Sequence, residues 1–96
     1  MNVRARVDAR RADIRRITAQ HGARSVRLFG SVARDDAGPE SDVDILVEME
    51  PGRTLLDQAA LQLELEVLLQ CRVDVVTERG LRPSIRSRIL REAVPL

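Results

Sequence analysis

Residues 42–49 read Asp-Val-Asp-Ile-Leu-Val-Glu-Met, and no other stretch constrains the fold as tightly. Ile45, Leu46 and Val47 are consecutive, so a strand built on them carries apolar side chains on both faces. Such a strand needs cover on both sides, which in a short chain means helices layered against a sheet. Just upstream, Asp-Asp-Ala-Gly-Pro-Glu-Ser at 35–41 is turn chemistry, punctuated by Gly38-Pro39, and it sets where the strand begins.

The flanking segments fit that plan. Residues 7–21 bring Val7, Ile14 and Ile17 to helical spacing and stop at Gly22, predicting a first helix. Val26 and Leu28 alternate with Ser25 and Arg27, predicting a short strand that ends at Phe29-Gly30. Residues 55–69 are ambiguous, because Leu-Gln-Leu-Glu-Leu-Glu-Val alternates as a strand does. Leucine, glutamine, glutamate and alanine are strong helix formers, however, and fifteen residues exceed ordinary strand length, so a helix is predicted. Residues 72–77, short and β-branched, predict a third strand. Pro83 falls in the first turn of a last helix running to Ala93, with Ile85, Ile89 and Leu90 inward. The order of elements is that of a small α/β layer fold, with residues 1–96 forming one domain. The 55–69 helix holds ten apolar residues in its fifteen, more than one buried stripe requires, so another chain is expected to cover part of it.

Composition removes several function classes. Phe29 is the only aromatic residue, which argues against single-stranded nucleic-acid readers that stack bases on aromatic side chains. Cys71 stands alone, which excludes an intramolecular disulfide and is compatible with a reducing cytoplasm. Arginines interrupt the N-terminal segment every few residues, leaving no secretory signal core, and no apolar run approaches a membrane span; a cytoplasmic protein is expected. The net charge of +1 hides an asymmetry: residues 1–34 carry nine arginines against two acids, residues 35–78 twelve acids against two arginines, and residues 79–96 five arginines against one acid. An acidic middle between basic ends points to an anionic ligand held partly by arginines and partly through metal ions, or to a basic surface for RNA. Taken singly, most arginines belong to solvated faces, including those of residues 81–91.

The chemistry concentrates at the start of the second strand. Residues i and i+2 of a strand face the same side, so Asp42 and Asp44 point together while Val43 faces away. Adjacent carboxylates repel, and one is driven toward protonation unless a cation intervenes. A hard divalent cation with oxygen ligands, Mg²⁺ or Mn²⁺, resolves the conflict. Asp74, between Val73 and Val75, adds a third carboxylate to the same side if the second and third strands pair. A bare Asp-x-Asp more often caps a turn and pairs with arginine. Gly30-Ser31 shifts that balance: it follows a strand and precedes a helix start, where free backbone N–H groups receive a phosphate. Elsewhere, His21 reads as a helix C-terminal cap and Cys71 as a small core residue.

Gly30-Ser31, ten residues, then Asp42-Val43-Asp44, with Asp74 as a third acid, resembles the signature of the polymerase-β-like nucleotidyltransferases. The small size, Val-Asp-Val-Val-Thr at 73–77 and Leu-Arg-Glu-Ala-Val at 90–94 look most like the minimal nucleotidyltransferase antitoxins. Asp35 and Cys71 stand where many such proteins carry glycine. The resemblance implies a short mixed β-sheet flanked by helices. It also implies a site in which Asp42, Asp44 and Asp74 are catalytic and hold two Mg²⁺ ions, while Gly30, Ser31 and Arg34 bind the nucleotide. By resemblance, ATP is the donor and AMP passes to a tyrosine hydroxyl of a HEPN-domain ribonuclease toxin. A hetero-oligomer with that toxin or a homodimer is then the expected assembly. The alternatives are an antitoxin that neutralises by contact alone, or a nucleotidyltransferase subunit acting on a small molecule.

Overall fold

The computed structural model describes residues 2–38 and 41–96; part of the predicted 35–41 turn, at 39–40, lies outside them. Helices α1 (Val3–Ala9) and α2 (Arg11–Gln20) lead into strand β1 (Ala23–Phe29) and a single helical turn, α3 (Gly30–Ala33). Strand β2 (Val43–Met49), helix α4 (Leu55–Leu69), strand β3 (Val73–Thr77), helix α5 (Pro83–Glu92) and a two-residue strand β4 (Val94–Pro95) follow. The sheet is mixed, in the order β3-β2-β1-β4: β1 runs antiparallel to both β2 and β4, and β2 runs parallel to β3.

β2 lies inside the sheet, as its apolar run requires, and Val43, Ile45, Leu46 and Val47 are all buried. Val43, Ile45 and Val47 join Leu28, Val73 and Val75 to form one face of the sheet. Val3 and Val7 of α1, Ile14 and Ile17 of α2, and Leu61, Leu65 and Leu69 of α4 close over that face as a single core. Each fully buried leucine or isoleucine contributes roughly 2 kcal/mol of transfer free energy. Thr54 and Asp57 form a capping box at the start of α4, with the Thr54 N–H donating to Asp57 at 2.8 Å, and that hydrogen bond holds the Asp57 carboxyl below its ordinary range.

α4 also closes the free edge of β3. The Gln58 amide donates to the Val75 carbonyl at 2.9 Å, the Val75 N–H to Gln62 Oε1 at 3.1 Å, and the Val73 N–H to Glu66 Oε2 at 3.0 Å. Side chains thus occupy backbone groups that another strand would otherwise bind. Glutamine and glutamate at this spacing explain why the segment alternates like a strand while forming a helix.

Four expectations need correction. The predicted helix over 7–21 is two helices, broken at Arg10 (φ −115°, ψ 18°), whose N–H bonds back to the Val7 carbonyl. Without glycine or proline at the break, its cause is tertiary. α1 is pinned by Arg6, which donates to the Leu69 and Gln70 carbonyls at 2.9 and 3.3 Å, and by Arg4, whose contacts with α3 are described below. β1 begins at Ala23 rather than near Ser25, through an irregular register between Ala23 and Ser25. β4 is absent from the sequence reading because two residues show no periodicity. In α5, no residue is fully buried: Ile89 and Leu90 are half-buried and Ile85 is 42% exposed.

Candidate functional site

β1 and β2 pair with Phe29 opposite Asp44, and β2 and β3 pair with Asp44 opposite Asp74. These registers place the end of β1, the start of β2 and the start of β3 side by side, with neighbouring strands roughly 4.8 Å apart. Asp44 alternates with the core-facing Val43 and Ile45, so it projects from the other face of the sheet. Asp42 lies just ahead of β2 and is solvent-exposed.

At the end of β1, Gly30 adopts φ +76°, a left-handed conformation open to glycine at little cost. A Cβ at this position would come within 2.2 Å of Asp44 Oδ2. Glycine is therefore needed twice, for the turn and for the close approach of the carboxylate. α3 is a single turn, so the expected positive helix end reduces here to a few backbone N–H groups at Gly30 and Ser31 that a first turn leaves without helical partners.

The carboxylates act on one another. Asp44 is half-buried and its pKa is pushed up to about 6, first by burial and then by the negative charges of Asp74 and Asp42, with Arg34 opposing. Asp42 has one distant partner, Arg72 Nε at 3.9 Å. Among the described residues, no three His, Cys, Asp or Glu side chains converge closely enough to form a ready-made metal cage. That arrangement suits Mg²⁺, which is held by one or two carboxylates and completes its shell with water and substrate phosphates. The donor set fits such an ion: hard oxygens only, beside a carboxylate whose ionisation needs compensating charge.

Arg34 sits at the end of α3, with Nε 3.2 Å from Asp36 and Nη1 3.2 Å from Glu92 of α5. Its guanidinium is tied between those acids rather than aimed into open space, and its charge still reaches Asp44. The sequence reading missed Arg4. Its Nη1 donates to the carbonyls of Val32 and Ala33 at 3.1 and 3.3 Å, capping the turn that begins with Gly30-Ser31. No local signal marks such a contact across twenty-eight residues. The expected roles of His21 and Cys71 meet a fuller picture: His21 ends α2 while its ring pairs with Glu64 of α4, and Cys71 packs partly buried against the core, which raises its thiol pKa.

Three carboxylates thus stand at adjoining strand starts, beside a Gly-Ser turn on a mixed sheet. Residues 12–96 match the nucleotidyltransferase domain family, and the chain belongs to it. Enzymes of this family use divalent metal ions. The chain is 44% identical over 73 residues to the protein adenylyltransferase MntA of Thermococcus cleftensis, covering 76% of this chain and 74% of the relative. A Methanocaldococcus jannaschii protein, provisionally named a protein adenylyltransferase, is 45% identical over 78 residues, or 81% of this chain and 84% of the relative. A solved structure provisionally described as a minimal nucleotidyltransferase superposes over 100% of this chain and 97% of that one, with a TM-score of 0.88 and 54% identity. The fold also recurs, with a TM-score of 0.76 and 20% identity over 88% of this chain and 69% of that one, in a toxin–antitoxin structure containing AMP-PNP. α1 and Arg4 fall outside the family match, which begins at residue 12. Among the described residues, no helix is long and apolar enough to cross a membrane.

Proposed function

We propose that this nucleotidyltransferase is the antitoxin of a toxin–antitoxin pair, transferring AMP from ATP to a tyrosine hydroxyl of a HEPN-domain ribonuclease toxin in the cytoplasm. The observation that carries the reading is the register Phe29–Asp44–Asp74, which sets the Gly-Ser turn and the acids side by side. The names of the relatives, both protein adenylyltransferases, support a protein acceptor; the antitoxin role is suggested by toxin–antitoxin structures that share the fold, one of them an MntA complex. Asp42, Asp44 and Asp74 would hold two Mg²⁺ ions, or Mn²⁺, which supply charge neutralisation at the phosphates and a more acidic acceptor hydroxyl.

The protein's own groups have separable tasks. Backbone N–H groups at Gly30 and Ser31 and the Ser31 hydroxyl bind the β- and γ-phosphates, fixing the α-phosphorus in front of the acids. Arg34, released from Asp36 and Glu92, adds positive charge at the phosphates. Asp74, exposed on the edge strand β3, takes the hydroxyl proton directly or through water. The acceptor oxygen forms a bond to the α-phosphorus, the bond from that phosphorus to the oxygen bridging toward the β-phosphate breaks, and pyrophosphate leaves.

Calorimetry of ATP binding with Mg²⁺ and with EDTA tests the site. Binding is expected only with the divalent ion, because three carboxylates repel a naked triphosphate. Equal affinity under both conditions would defeat the reading.

A further inference from the structure

Glu92, the last residue of α5, is fixed more firmly than a helix end requires. β4 begins two residues later and pairs with β1, Val94 opposite Leu28 and Pro95 opposite Arg27. The Leu96 N–H then donates to the Val26 carbonyl at 3.2 Å, and Leu96 is buried in the core. Continuing the β1–β4 register by two residues brings Glu92 alongside Gly30, where the Gly-Ser turn begins. Near its start α5 is tied down by Glu78, which pairs with Arg86 at 2.9 Å and with Arg27 at 3.9 Å. Arg27 is the register partner of Leu46, and Leu46 shares its face of β2 with Asp44. α5 therefore lies over the sheet face from which Asp44 projects.

The Glu92 carboxylate is divided between two guanidiniums. One oxygen accepts from Arg34 Nη1 at 3.2 Å and the other from Arg88 Nε at 3.2 Å. Its side chain is 24% exposed, against 58% for Asp36, which also pairs with Arg34. Solvent screens the Asp36 pair more, so Glu92 is the firmer hold. The charges of Asp36, Arg34, Glu92 and Arg88 cancel, so this cluster attracts a phosphate only when Arg34 is let go.

A phosphate in front of the Gly-Ser turn competes for the same guanidinium, and what it gains from Arg34 a carboxylate loses. Ion pairs this exposed are weak, so the exchange runs easily in both directions.

We propose that Glu92 is a positioning residue that competes with the nucleotide phosphates for Arg34, holding MgATP affinity down and taking Arg34 back as pyrophosphate leaves. This rests on the reading of Gly30, Ser31 and Arg34 as the phosphate site above. The test uses Glu92→Gln, which keeps the shape and removes the charge, and Glu92→Asp, which keeps the charge and loses the reach; if one variant fails to fold in thermal melts, the other carries the test. By calorimetry each is expected to bind MgATP and magnesium pyrophosphate about three- to fivefold more tightly than wild type, the range that an exposed ion pair sustains. In AMP transfer, KM for ATP should fall without a rise in kcat, because the gain is shared by ground and transition states. In an Arg34→Met background the same substitutions are expected to leave MgATP affinity unchanged. Unchanged or weaker binding by the folded variants overturns the proposal, as does an Arg34→Met chain that binds MgATP as wild type does. A gain that Glu92→Asp lacks, or that persists beside Arg34→Met, overturns it in favour of the carboxylate's field alone. Tighter MgATP binding that depends on Arg34, with AMP transfer by no form, upholds the competition and removes the transfer reading instead.

Discussion

Asp44→Asn is expected to stabilise the metal-free protein at neutral pH, although the residue stands at the centre of the candidate site. The folded-state pKa of Asp44 is raised from 3.8 to about 6 by burial and by Asp74 and Asp42. The folded protein therefore binds this proton more tightly than the unfolded chain does, and stability is lost as pH rises through the folded value. Well below 3.8 both states are protonated and there is no penalty; it builds between that value and about 6 and is nearly complete by pH 7. A shift of about two units corresponds to ~3 kcal/mol for a fully desolvated group. Asp44 is only half-buried, and solvent screening reduces the figure to about 1 kcal/mol. For a domain of this size that is roughly 5 °C in Tm. Asparagine keeps the shape and removes the charge. In EDTA, thermal melts should place Asp44→Asn about 5 °C above wild type at pH 7 and nearly level with it near pH 4. Saturating Mg²⁺ should raise wild type selectively and narrow the gap. A variant no more stable than wild type at pH 7, or one with the same advantage at both pH values, would refute the coupling of Asp44 to its neighbours.

Gly30→Ala forces a Cβ into the Asp44 carboxylate at a left-handed position, so MgATP affinity measured by calorimetry should fall at least tenfold; unchanged affinity would mean that the turn and the acid are independent. Arg4→Met removes the cap on the Val32 and Ala33 carbonyls and should cost about 1 kcal/mol in denaturant melts while weakening MgATP binding several-fold, with Arg4→Lys recovering part of both. Asp35 sits at φ 62°, so Asp35→Gly should be no less stable than wild type, whereas Asp35→Val should lose about 1–2 kcal/mol.

What the sequence revealed were features whose causes are local. Ile45-Leu46-Val47 announced an internal strand because burial on both faces leaves no polar position, and Gly22, at φ 84°, announced the end of α2 because few other residues adopt that conformation cheaply. The expectation that Asp42 and Asp44 share a strand face meets a β2 that begins only at Val43, with Asp42 exposed just ahead of it; the sheet register sets Asp74 opposite Asp44. What stayed hidden depends on contacts between distant segments. Arg4 and Arg6 look like solvated arginines until α3 and α4 offer them carbonyls, and the break at Arg10 follows from that anchoring rather than from any residue at the break. Gln58, Gln62 and Glu66 carry no sign that they will close a sheet edge. The excess of leucine in α4 was legible; that the surplus falls on one outward stripe required the packing of Leu61, Leu65 and Leu69 to be known.

The central claim, that the three acids perform transfer rather than merely bind a nucleotide, is tested most directly by Asp74→Asn. Asp74 is exposed on the edge strand β3, while Asp44 lies on the strand paired with the end of β1 that leads into the Gly-Ser turn. Removing its charge takes away an interaction realised only as the acceptor hydroxyl loses its proton. MgATP affinity by calorimetry should stay within a few-fold of wild type, and intact-mass measurement of the toxin should show AMP transfer slowed by orders of magnitude. If wild type and Asp74→Asn leave the toxin equally unmodified, and both protect cells equally well, neutralisation proceeds by contact alone and the catalytic account is contradicted.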